Sequence, residues 1–174
     1  QHQMWTAQYY PIEKPRTFCT SGGLGTMGYG LGAAIGAAKA TGKHVILVTG
    51  DGCFNMNLNE LSTAVTHELP ITILLMNNHA LGMVRQWQKL FYGNRFSQTD
   101  VRKRTDYVRF AESFGAVGLA IEKDEDIVPV LTKALSLQSP VLVDCRISND
   151  ENVLPMIKPG QTYDTIITDW EARE

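Results

Sequence analysis

No run of apolar residues in this chain approaches the roughly 20 that a membrane-spanning helix requires, so the sequence reads as a soluble one with no membrane partner. Neither charge is in excess. Sixteen Lys and Arg stand against 18 Asp and Glu, a formal net charge of −2, which leaves no electrostatic footprint for nucleic acid or an anionic surface. Cysteine is scarce as well. Cys19, Cys53 and Cys145 are too few and too scattered for a disulfide framework or a Cys-rich zinc site. Their odd number fits a reducing compartment, and all three read as packing residues. Repeats, low-complexity tracts and evident linkers are absent. The chain also opens on Gln1, without an initiator Met, a charged signal region or a transit-like segment, and it reads as a piece of a longer protein.

What is present is an alternation of short apolar runs and helical patterns. The 174 residues suffice for a single domain over 1–174. Strands are expected at residues 44–49, 71–76, 116–121 and 141–146, each apolar as strands buried on both faces are. Between them, Asn57 and Glu60 have the spacing of a capping box, followed by Leu58, Leu61, Ala64, Val65 and Leu69 at helical intervals until Pro70. Further helices are expected at 106–114 and 125–137. Gly30, Gly32 and Gly36, interleaved with alanines, make a slim helix that can approach a sheet closely. This order argues for an α/β fold, a three-layer doubly wound parallel sheet. The polar stretch from Ser148 onward is expected to be irregular and to pack over the active edge or another domain.

The run Val45-Ile-Leu-Val-Thr-Gly-Asp-Gly52 ends in a carboxylate, and a second run ends in Asn77-Asn78. Two parallel strands ending this way set hard oxygen ligands side by side at the carboxyl edge of a sheet, where open α/β folds bind ligands. Such oxygens suit Mg²⁺ or Ca²⁺, and Mg²⁺ keeps only a few protein ligands and completes its octahedron with water and phosphate oxygens. A phosphorylated partner, and specifically a diphosphate, is therefore expected. Gly23, Gly25 and Gly28 also fit a dinucleotide fingerprint, with Asp51 as its acidic residue. That fingerprint must follow a strand, and residues 14–21 offer little to build one.

Gly50-Asp-Gly52 with Asn77-Asn78 resembles the thiamine-diphosphate signature. Gln1-His-Gln-Met-Trp5, the segment from Thr20 to Gly30, Leu81-Gly-Met-Val-Arg-Gln-Trp87 and Asn152-Val-Leu-Pro-Met156 are similar to acetolactate synthase (acetohydroxyacid synthase). The resemblance runs over the whole chain but covers only the carboxy-terminal third of that enzyme. It implies the thiamine-diphosphate-binding fold of a transferase catalytic subunit. Such an enzyme decarboxylates pyruvate and joins the hydroxyethyl group to a second 2-oxo acid, pyruvate or 2-oxobutyrate, in branched-chain amino acid biosynthesis.

By that resemblance Asp51 and Asn78 give side-chain oxygens to Mg²⁺ and Ala80 its backbone carbonyl. Gly52 and Cys53 present N–H groups to the diphosphate near a helix amino terminus. Gln1, His2, Gly25, Gly50 and Gly82 belong to the same cofactor site, and Met27 props the thiazolium ring. Met83, Val84 and Trp87 line the substrate channel, with Met83 also at the cofactor. By pattern alone, Leu81, Val84, Trp87 and Phe91 could equally be the core stripe of an amphipathic helix. The basic residues Arg85, Lys89, Arg95 and Arg102 to Arg104 read as a solvated face, with contacts to carboxylates or a neighbouring subunit as the alternative. No catalytic residue is assigned, because the family's activating glutamate lies on the pyrimidine-binding domain of a partner subunit in a homo-oligomer. FAD and a regulatory subunit belong, if anywhere, to parts of the parent outside this sequence, and a prokaryotic parent would be cytoplasmic. A different thiamine-diphosphate-dependent 2-oxo acid decarboxylase or carboligase would share the metal motif, but not the segment around Trp87. A dinucleotide oxidoreductase and a non-catalytic binding module are the remaining alternatives.

Overall fold

The computed structural model describes residues 1–101 and 105–168. Its sheet has four strands, β1 (Val45–Gly50), β2 (Ile71–Asn77), β3 (Val117–Ile121) and β4 (Val141–Arg146). They pair in the order β1-β2-β4-β3, all parallel. The expected strands fall within a residue of these bounds, because an apolar run buried on both faces has little alternative to a central strand.

Alternation along β2 and β4 divides the interior. Ile71, Ile73, Leu75 and Leu142 join one core, whereas Leu74, Met76, Val141, Val143 and Cys145 join the other. The first core is closed by α2 (Tyr29–Thr41), α4 (Leu61–Thr66) and α6 (Tyr107–Ser113), the second by α7 (Asp124–Ser136). Helices therefore cover both faces of a parallel sheet, the three-layer arrangement that right-handed βαβ crossovers produce. Among the described residues, no helix is long and apolar enough to cross a membrane.

Of the three glycines of α2, only Gly30 makes a close approach. A Cβ there would come within 2.8 Å of Leu47 Cδ1, while Gly32 and Gly36 face open space. The capping box does not form. Asn57 makes no cap to the turn that follows, and its Nδ2 donates instead to the Gly28 carbonyl at 2.6 Å. Glu60 accepts from the Thr63 hydroxyl, so the segment runs as a 3₁₀ turn at Leu58–Glu60 before α4 begins. The tertiary bond to Gly28 has won over the local one. Asp106, by contrast, caps α6 by accepting from the Arg109 N–H at 3.0 Å. Between residues 149 and 168 the chain is irregular, as expected, apart from a 3₁₀ turn at Tyr163–Thr165, and it bonds to α5 (Gly82–Phe91) and α1 (His2–Tyr9). Val153 is fully buried there, and Gln8 Nε2 donates to the Leu154 carbonyl.

Candidate functional site

The register brings the motif residues together. Gly50 is paired with Met76, so Asp51 leaves β1 at the level where Asn77 ends β2, and Asn78 follows one step beyond. Asp51 opens α3 (Asp51–Phe54), a single turn, so it offers an anion N–H groups rather than the dipole of a long helix. The Asp51 side chain is 2 % exposed and has no ion-pair partner among the described residues. Burial pushes its carboxyl above the ordinary carboxylate range; the Gly52 N–H and the His79 charge oppose that. A buried carboxylate without a cation is costly, which makes Asp51 the natural seat of one.

Asn78 is 7 % exposed, and its Oδ1 accepts from the Ala80 N–H at 3.0 Å. His79 between them has φ +55°, so the chain reverses sharply and returns the buried Ala80 to the edge. One carboxylate, one carboxamide and one carbonyl could make an all-oxygen donor set, of the kind that suits Mg²⁺ rather than a soft metal. Among the described residues there is no cluster of three His, Cys, Asp or Glu side chains that could serve a different ion.

The other expected site residues gather at this edge. Gln1 accepts from Asn78 Nδ2 at 2.9 Å and donates to the Glu151 carbonyl at 2.7 Å. The His2 ring lies against Gly50, where a Cβ would sit 3.0 Å from Nδ1. Over Gly52 lie Leu81 Cδ2 and Met27 Cε, at 3.0 and 3.4 Å from a notional Cβ, so any side chain there would meet both. Gly82 is equally constrained, because a Cβ would collide with the side chains of Gln1 and Asn78. Cys53 is half-buried, with its thiol pushed up by burial. Gly25 stands slightly apart, in a left-handed turn at φ +59° whose nearest neighbour is Gln3.

The stripe along α5 does not pack as a core in this domain. Val84 and Trp87 are 51 % and 38 % exposed, so they are not core residues. Together with Met83, Gln88, Tyr92 and Arg95 they line an open cavity of about 840 Å³. The helix is instead anchored by its polar face. Arg85 pairs with Asp150 at 3.0 Å and stacks its guanidinium over the Phe96 ring. Gln86 is buried, bonded on both amide atoms to the Val153 backbone. Arg102, Lys103 and Arg104 lie outside the described residues.

Four polar residues at this edge were not among the expected site residues: Gln86, Asn77, Asp144 and Tyr107. Tyr107 accepts from Asn55 Nδ2 at 2.9 Å, and burial pushes its hydroxyl up to about 12. Asp144, 4 % exposed, accepts from Asn77 Nδ2 at 2.8 Å. The available signal was a charge inside the apolar run Val141-Leu-Val-Asp144-Cys145.

Residues 1–145 match the family model described as thiamine pyrophosphate enzyme, C-terminal TPP binding domain. An acetolactate synthase large subunit from Corynebacterium glutamicum is 46 % identical over 172 residues, covering 95 % of this chain and 28 % of that protein. The mitochondrial acetolactate synthase catalytic subunit of Saccharomyces cerevisiae is 45 % identical over 168 residues, 96 % of this chain and 24 % of that protein. Among solved structures, a thiamine diphosphate-dependent 4-hydroxybenzoylformate decarboxylase from Rhodococcus jostii RHA1 superposes with TM-score 0.66 at 32 % identity, over 72 % of this chain and 24 % of that one. The chain thus spans about a quarter of the length of the relatives it matches.

Proposed function

The chain belongs to the thiamine pyrophosphate enzyme family, as its C-terminal TPP-binding domain, and on that premise we propose that it serves the catalytic subunit of an acetolactate synthase. The parent would decarboxylate pyruvate and transfer the two-carbon unit to a second 2-oxo acid, pyruvate or 2-oxobutyrate. The observation that carries this reading is the cavity on α5, lined by Met83, Val84 and Trp87 beside the thiamine-diphosphate edge, on a chain 46 % identical to acetolactate synthases. Residues 1–174 act in it as one domain.

Thiamine diphosphate, when bound, supplies the carbon nucleophile and electron sink for decarboxylating a 2-oxo acid. The chain's own residues bind and orient it. Asp51, Asn78 and the Ala80 carbonyl would hold Mg²⁺, which would offset the charge of the diphosphate, and Gly52 and Cys53 would offer it their N–H groups. Gln1 fixes Asn78, and His2 and Gly50 close the same edge. Gly25 shapes the preceding loop, and Met27, over Gly52, would support the organic part of the cofactor. Gly82 lets α5 begin close to Asn78, Met83 at the start of the helix would face both cofactor and substrate, and Val84 and Trp87 would give the second 2-oxo acid an apolar wall. Acid–base chemistry is left to the pyrimidine-binding domain of a partner subunit in a homo-oligomer.

The test is turnover by the full-length parent with pyruvate, Mg²⁺ and thiamine diphosphate. Acetolactate as product is the expected result. Acetaldehyde as the main product would point to a 2-oxo acid decarboxylase instead.

A further inference from the structure

Asp144 is a carboxylate in the interior of a parallel sheet. It lies on the same side of β4 as Leu142, toward the core that contains Phe54 and Tyr107, and an apolar residue there would spare the desolvation of a charge. Its Oδ1 accepts from Asn77 Nδ2 at 2.8 Å, and its Oδ2 lies 3.6 Å from Arg146 Nε. Asn77 is held a second time from the residue that follows β4, where the Ile147 N–H donates to its carbonyl at 3.1 Å. The Oδ1 of Asn77 is buried with no partner among the described residues. Its side chain is therefore kept in place by Asp144.

Asn77 is the last residue of β2, and the next three are Asn78, the left-handed His79 and Ala80. In so tight a reversal, a small rotation at Asn77 swings both oxygen donors. We propose that Asp144 is a positioning residue for the metal loop, acting through Asn77 to aim Asn78 and Ala80 at the ion. The proposal rests on the Mg²⁺ site assigned above. It has the logic of a carboxylate behind a metal ligand, whose loss typically weakens metal affinity 10- to 100-fold.

The experiment titrates Mg²⁺ into the full-length parent at saturating thiamine diphosphate, following ion affinity by calorimetry, with melting of the cofactor-free protein as a separate readout. Asp144→Ala and Asn77→Ala should each weaken Mg²⁺ about 10- to 100-fold, and the double variant should be no worse than the weaker single one. Asp144→Asn keeps an oxygen for Asn77 and should stay within about threefold of wild type. The exchanged pair, Asn77→Asp with Asp144→Asn, reverses the bond and should recover most of the affinity that Asn77→Asp alone loses.

A purely structural role would lower the melting temperature and leave Mg²⁺ affinity unchanged, and that result in a folded Asp144→Ala protein overturns the proposal. If Asp144→Ala does not fold, the exchanged pair decides. Recovered affinity supports the proposal, and affinity as poor as that of Asn77→Asp overturns it. Asp51→Ala is the control. If it binds Mg²⁺ normally, the metal site itself is wrongly placed; if it does not and the Asp144 variants do, only the positioning role fails.

Discussion

Gln86 and Val153 bond to each other as neighbouring strands do: Gln86 Nε2 donates to the Val153 carbonyl, and the Val153 N–H donates to Gln86 Oε1, both at 2.8 Å. Gln1 Nε2 adds a third bond to the same Oε1 at 3.3 Å. Gln1 in turn bonds Asn78, so the buried amide ties the irregular tail, the cavity helix and the metal loop into one network.

Gln86→Leu fills the same volume but strands the N–H and C=O of Val153. A buried polar group left without a partner costs about 1–3 kcal/mol, so urea denaturation should show a loss of at least that size. Limited proteolysis should then cut first between Ser148 and Met156. A variant as stable as wild type, with its tail equally protected, would show that the clasp is incidental.

Trp87 stands at the cavity with its ring edge-on to Phe91, centroids 5.7 Å apart. If it contacts the extra methyl of 2-oxobutyrate, it should favour that acceptor over pyruvate by the value of about one methylene, roughly 1–3 kcal/mol or 10- to 200-fold. Trp87→Leu in the full-length parent should shift product toward acetolactate while overall turnover survives. Competition between the two acceptors, with both products quantified, checks this. An unchanged ratio would remove Trp87 from acceptor selection.

His2 gives the fold a pH dependence of definite sign. Burial pushes its imidazole from the ordinary 6.5 down to about 4. Between those values the unfolded chain binds a proton that the folded chain refuses, so stability rises with pH across that window. The contribution is complete above pH 6.5 and is lost as the pH falls toward 4. Urea midpoints at pH 7.5 and pH 5 should differ more in wild type than in His2→Gln. Equal differences in the two proteins would remove His2 as the cause.

The fold was legible wherever burial on both faces forces one answer. The apolar runs at β1, β2 and β4 could be little else, and their ends placed Asp51 and Asn78 on one edge. The failures share a physical reason. The Asn57 capping box has the right spacing, yet its amide is taken by Gly28, a partner 29 residues away. In α5 the pattern alone left a core stripe and a channel wall both open; Val84 and Trp87 face a cavity, and the buried residue is Gln86, which the stripe did not include. Gln86 and Asn77 each find their partner 67 residues further on. Local pattern carries no trace of such a pairing. A charge or amide inside an apolar run signals only that some partner must exist.

The central claim, that this domain holds thiamine diphosphate through a divalent ion seated on Asp51, is tested most directly by calorimetric titration of the cofactor into the full-length parent. The measurement is made with Mg²⁺, with EDTA, and in the Asp51→Ala variant. Removing a charged ligand from a site that faces a polyanion should abolish binding, so heat of association is expected with Mg²⁺ and none in the other two titrations. Equal affinity in EDTA and Mg²⁺, or wild-type affinity in Asp51→Ala, would contradict the account.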